Sequence, residues 1–127
     1  MGKYGKCAVN AVKIFVLKKI ITPNEAWELS SVAEFGKGSS SQKKGCPRDA
    51  FLGLCENGNI KGIPVGKYTK SKKNKSYALG AVQFLKKHPK LVWNPLVIWN
   101  YVTSRHSIVH NQQMDVVIDL FKNGLLV

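Results

Sequence analysis

The residues with chemistry to offer are cationic and hydroxylic, and they gather in clusters. The first cluster runs from Phe35 to Asp49, where Lys37, Lys43, Lys44 and Arg48 face the single acid Asp49. Its glycines and serines, Ser40 and Ser41 among them, form a loop rich in backbone and hydroxyl donors ahead of a helix start at Cys46-Pro47. That combination suits an anion. It is not a nucleotide-hydrolase loop, because no G-x-x-x-x-G-K-S/T pattern can be read and no apolar strand precedes it. The bland alternative is a solvated connector. The second cluster, Asn59 to Lys75, carries Lys61, Lys67, Lys70, Lys72, Lys73 and Lys75 around Tyr68 and Thr69. It has the makings of a phosphate-contacting arm with one aromatic, against the alternative of a lysine run that only aids solubility. In the third cluster, Asn111, Gln112 and Gln113, the amides are able to pair with a base edge, adenine above all. Such residues more commonly cap helices.

Catalytic sets are thinner. Cys46 sits at a helix start beside Lys44 and Arg48, surroundings that acidify a thiol, so a nucleophilic Cys46 acting on an anionic substrate is the enzyme reading. No histidine is tied to it by spacing: His106 and His110 fall in a gap between two helices, and His88 stands apart. Cys46 and Cys55 lack the second ligand pair that a zinc site uses, and no metal or cofactor is assigned. Asp115 and Asp119 share a helix face and read as counter-charges for nearby lysines. A nuclease needs carboxylates around a divalent ion, and whether Glu28, Glu34, Asp49, Asp115 and Asp119 meet is a question for the fold.

Charge is the strongest constraint. The chain of 127 residues has 20 Lys plus Arg against 7 Asp plus Glu, a formal net charge of +13. No acid lies between Glu56 and Asp115, an interval holding nine lysines and Arg105. Such a field attracts nucleic acid, an anionic membrane surface or an acidic protein. The odd number of cysteines (Cys7, Cys46, Cys55) leaves one unpaired, and free thiols fit a reducing cytoplasm. There is no signal-peptide pattern and no run near the ~20 apolar residues that span a bilayer.

The elements that must position these clusters read as a single all-α domain over 1–127, a compact bundle of about six short helices. The first, Tyr4 to Lys19, is apolar around most of its girth, with Lys3, Lys6, Asn10 and Lys13 as a narrow polar stripe. It is expected at the centre of the core, with membrane-surface docking as the alternative. Thr22-Pro23-Asn24-Glu25 is a capping box that opens the second helix, with Trp27 in the core and Gly36 as the stop. Pro47 fits the first position of the third helix, which ends at Gly58. A small hairpin is drawn over residues 60–68. The fourth helix starts at Asn74 or Ser76 and stops at Pro89, Asn94-Pro95 opens the fifth, and the last runs from about Asn111 to Gly124.

Tyr4-Gly5-Lys6-Cys7-Ala8, Phe35-Gly36-Lys37-Gly38, the run Ser40 to Pro47, Ala50 to Cys55, Gly62-Ile63-Pro64, Tyr68 to Lys75 and Asn111 to Val116 together resemble a family of small bacterial proteins known only as a domain of unknown function. Such proteins are often carried on mobile elements, including integron cassettes. The resemblance covers most of the chain and implies a bacterial cytoplasmic protein, but it carries over no activity and no site residue. The residues themselves lead to a non-enzymatic domain that binds nucleic acid or another polyanion. Lys37, Ser40, Ser41, Lys43, Lys44, Arg48, Lys70, Lys72, Lys73 and Lys75 are the candidate phosphate contacts, and Tyr68, Asn111, Gln112 and Gln113 the base contacts. The rival is an interaction module for an acidic protein, a homodimer among its forms, anchored by Trp93 and Trp99. The Cys46 enzyme comes third.

Overall fold

Helix boundaries follow local chemistry. In the computed structural model, which describes residues 2–104, 108–110 and 112–127 apart from the side chains of Val92 and Trp93, the chain forms α1 (Lys3–Lys18), α2 (Pro23–Phe35), α3 (Gly45–Glu56), α4 (Lys72–Lys87), a 3₁₀ turn (Pro89–Trp93), α5 (Pro95–Val102) and α6 (Gln113–Lys122). At α2 the Thr22 hydroxyl accepts the Glu25 N–H while the Glu25 carboxylate accepts the Thr22 N–H. Asn94 accepts the Val97 N–H to open α5, with Pro95 at the first position. The Ser71 hydroxyl accepts the Asn74 N–H, so α4 begins at Lys72 and takes in lysines that the sequence pattern assigns to a loop. α3 begins at Gly45, which makes Pro47 its third residue; a proline costs nothing there because first-turn N–H groups have no partner inside the helix.

The bundle is organised around α6 rather than α1. Met114, Val116, Val117, Ile118 and Leu120 of α6 are buried, and the helix packs against α1, α3, α4 and α5. α1 lies between α2 and α6. It buries Cys7, Ala8, Ala11, Val12 and Phe15, but its last turns leave the core, with Val16 and Leu17 exposed. Its apolar girth therefore overstates its burial. Trp27 is core, 2% exposed, with its ring centroid 5.2 Å from that of Phe51.

No hairpin forms over 60–68. Ile60 instead makes an isolated antiparallel bridge with Leu126, supported by Lys61 N–H to the Leu125 carbonyl (2.9 Å) and Val127 N–H to the Asn59 carbonyl (2.7 Å). Gly62, at φ 85°, then turns the chain away from any return strand. The cysteines are free. Burial pushes the Cys7 thiol up to about 11 and the Cys55 thiol higher still. No helix among the described residues is long and apolar enough to cross a membrane.

α3 and α4 pack backbone to backbone at Gly53. A Cβ on Gly53 would stand 2.7 Å from both Cα and Cβ of Lys75, closer than real contacts allow. Gly53→Ala must therefore separate the two helices. It is expected to lower unfolding free energy by about 1–3 kcal/mol in urea titrations, with far-UV helicity retained; unchanged stability would mean the helices do not approach this closely.

Candidate polyanion-binding groove

Glu56, the last residue of α3, arranges the second basic cluster. Its Oε1 accepts the backbone N–H groups of Tyr68 (2.9 Å) and Thr69 (3.3 Å), and its Oε2 accepts from the Lys75 ammonium at 2.5 Å. The Lys75 hydrogen bond first, and those N–H groups next, hold the Glu56 carboxyl below its ordinary value. Further ties fix the same segment: Asn24 donates its amide to the Tyr68 carbonyl (2.8 Å), and Thr69 donates its hydroxyl to Asp49 (3.1 Å). The arm is thereby a fixed wall. Between it and α4 lies a groove of about 1050 Å³ lined by Lys67, Lys70, Lys72 and Lys75, with Leu79 and Gln83 farther along α4. Glu56 is the only acid among its lining residues. Lys72, Lys75, Leu79 and Gln83 recur at three- and four-residue spacing, so they form one stripe along α4, roughly 16 Å long at 1.5 Å per residue. Lys73 is exposed beside it.

The first turn of α4 contains no acid. Lysines at the positive end of a helix repel the aligned peptide dipoles. The Ser71 cap and the Lys75–Glu56 pair offset part of that cost, and a bound anion would offset more.

The glycine- and serine-rich loop is less open than its composition implies. Gln42 is 7% exposed, and its amide donates to Glu28 (3.1 Å) and to the Ser31 hydroxyl (3.1 Å), while its carbonyl accepts the Gly38 N–H (3.2 Å). Ser39 donates to the Phe35 and Gly36 carbonyls. Those donors are engaged internally. Lys37, Ser40, Ser41 and Lys43 face solvent. The Ser41 carbonyl accepts the Tyr4 hydroxyl (2.9 Å), and Arg48 pairs with Asp49 at 3.3 Å.

Hydrogen bonds join the three clusters. Lys44 donates to Gln112 at 2.6 Å, 5.7 Å from the centre of the Tyr4 ring. Gln113 donates to Asn74 in the first turn of α4 (3.0 Å), and Asp49 receives Thr69. Of the expected base contacts, Gln113 is 2% exposed, and Tyr68 is half-buried with its hydroxyl donated to the Pro64 carbonyl (2.8 Å). Asn111 lies outside the described residues, as does His106. Glu56 and Gln42 are organising residues that the sequence patterns do not single out. Glu56 is the last acid before the acid-free interval, which is the available signal; for Gln42 only its standing as the single amide in a glycine- and serine-rich loop marks it.

The remaining candidates have structural settings. Asp115 and Asp119 sit against the first turn of α1, close beneath Gly2 and Gly5, where α1 has no acid and no side-chain cap of its own. They face that helix's positive end, and burial pushes both carboxyls up. Cys46 is half-buried in the first turn of α3. No group of three His, Cys, Asp or Glu side chains suited to a metal ion occurs among the described residues. Trp99 is 3% exposed and packed in the core, so it does not anchor an interface; Trp93's side chain lies outside the described residues.

His110 caps α6: its Nε2 accepts the Met114 N–H at 3.1 Å, and its ring lies 5.0 Å from that of Trp99.

The model of a protein family described as a family of unknown function (DUF6979) matches residues 1–127. No curated protein and no solved structure matches the chain.

The acceptor at Nε2 requires a neutral imidazole, and burial, against the opposing charge of Asp115, lowers the His110 pKa from 6.5. A folded-state pKa below the unfolded one means that the unfolded chain binds the proton first. His110 thus contributes stability above pH 6.5 that is lost as pH falls through its folded value. Denaturation midpoints measured downward from neutral pH are expected to fall more steeply for the natural chain than for His110→Gln. Parallel curves would remove the cap.

Proposed function

We propose that this chain, which belongs to that family of unknown function, is a non-enzymatic nucleic-acid-binding domain whose lysine-lined groove between α4 and residues 65–71 takes the phosphate backbone. One observation carries the reading: Lys67, Lys70, Lys72 and Lys75 line a single groove whose one acid, Glu56, is already engaged by Lys75 and the backbone N–H groups of Tyr68 and Thr69. Fixed cations without free counter-charges displace the ions condensed on a polyanion, which is the main source of affinity for a phosphate backbone. Ser71, Ser76 and Gln83, also in the lining, supply the neutral donors that position such a backbone. Arg48 extends the cationic surface next to Asp49, which the Thr69 hydroxyl links to the arm. A bacterial cytoplasm, the setting that the family resemblance implies, belongs to this proposal.

An interaction module is the second reading, supported by α5. The helix has no charged residue, and Leu96 and Tyr101 are 62% and 60% exposed. Its anchors are these outward residues in place of Trp99.

Salt titration tests the first reading. With about six phosphates neutralised on duplex DNA, log affinity falls against log salt with a slope near −5. Replacing Lys72 and Lys73 together by glutamine is expected to flatten that slope by about two. A slope left unchanged would remove the first turn of α4 from the site.

A further inference from the structure

We infer that the C-terminal end of α1 is a peripheral docking face for an anionic phospholipid surface. Lys13, Val16 and Leu17 recur at three- and four-residue spacing, so they share one side of the helix, and Ile20 follows just past its left-handed end at Lys19. Farther back on that helix Val9 and Val12 are buried, but the last turns run beyond the core. Leu17 is 83% and Ile20 93% exposed, with Val16 at 42%. Lys13, Val16 and Leu17 border a shallow groove of about 570 Å³ between α1, the Lys61-Gly62 turn and Leu125.

Single exposed aliphatics are ordinary. Here, however, they stand together inside a ring of lysines: Lys13 and Lys61 line the groove, and Lys18 and Lys19 are exposed at the end of the helix. Both segments that build the face are acid-free, since no Asp or Glu precedes Glu25 and none lies between Glu56 and Asp115. Glu25 itself is held in the α2 capping box, and Glu34 pairs with Lys6 at 3.7 Å. Projecting aliphatics with lysines around them match the two-part requirement of an interfacial segment: apolar groups enter the headgroup boundary while the lysine stems carry their ammonium groups to lipid phosphates. A second copy of the chain would bring the same four lysines into opposition, which argues against self-association through this face. The inference is independent of the groove on α4.

The test is co-sedimentation of the full chain with vesicles of phosphatidylcholine alone and of phosphatidylcholine with phosphatidylglycerol. Binding is expected only to the mixed vesicles and to weaken with added salt. Leu17→Gln with Ile20→Gln, both at solvent-facing positions, is expected to lower the affinity about tenfold or more while leaving the nucleic-acid salt slope as it was. Lys13→Gln with Lys61→Gln should lower it about 25-fold, at roughly fivefold per lysine. No binding to mixed vesicles at low salt would overturn the proposal. So would equal binding by the Leu17/Ile20 variant, which would leave net charge as the whole cause, or a dimer in solution that this variant abolishes.

Discussion

The absence of a side chain at Gly53 is the constraint from which the arm and the groove derive. Without a Cβ there, α4 approaches until the backbone of Lys75 occupies the space beside α3. At that separation the Lys75 ammonium reaches Glu56, three residues beyond Gly53 at the end of α3. Glu56 has an oxygen left for the N–H groups of Tyr68 and Thr69, and those bonds stand the arm upright as the far wall of the groove. The order of dependence runs from steric contact to ion pair to loop.

The acids explain why so much positive charge remains on the surface, because all of them are engaged within the fold. Glu25 caps α2, Glu28 holds Gln42, Glu34 pairs with Lys6, and Asp49 receives Arg48 and Thr69. Glu56 fixes the arm, while Asp115 and Asp119 face α1. Acids used this way are held in short contacts within the fold and barely screen the lysines that point outward. A formal charge of +13 is tolerated because the repulsion is spread over exposed side chains in water, where it is weak. The same dispersal leaves the lysines available to an external anion.

How much of this is legible in the sequence depends on distance along the chain. Thr22 with Glu25, Asn94 with Pro95 and the stop near Gly36 are local signals, and helices stand where they indicate. The start of α4 is misread because Lys72 and Lys73 oppose a helix's positive end and so look like loop, although Ser71 and Asn74 carry the cap. Non-local pairings are not readable. Nothing near Ile60 indicates that its partner is Leu126, and nothing near Gln113 indicates Asn74. Trp99 fails as an anchor for a different reason. α5 has no charged residue to set its phase, and in the fold Trp99 faces inward, with the Tyr77 ring packed edge-on against it at 5.0 Å.

The partnership of α1 with α6 has a consequence for synthesis. The α1–α2 and α3–α4 contacts join neighbours in sequence and can close as soon as each pair has emerged, whereas Asp119 must be made before the first turn of α1 has its carboxylates. A nascent chain that stops short of α6 holds its first helix half-covered, with the side meant for α6 open to water. Ribosomes work at about 5–20 residues per second, so that interval lasts for seconds in every round of translation. The slowest contact to become possible is also the one that completes the core, so the first five helices wait, partly assembled, for the sixth to leave the ribosome.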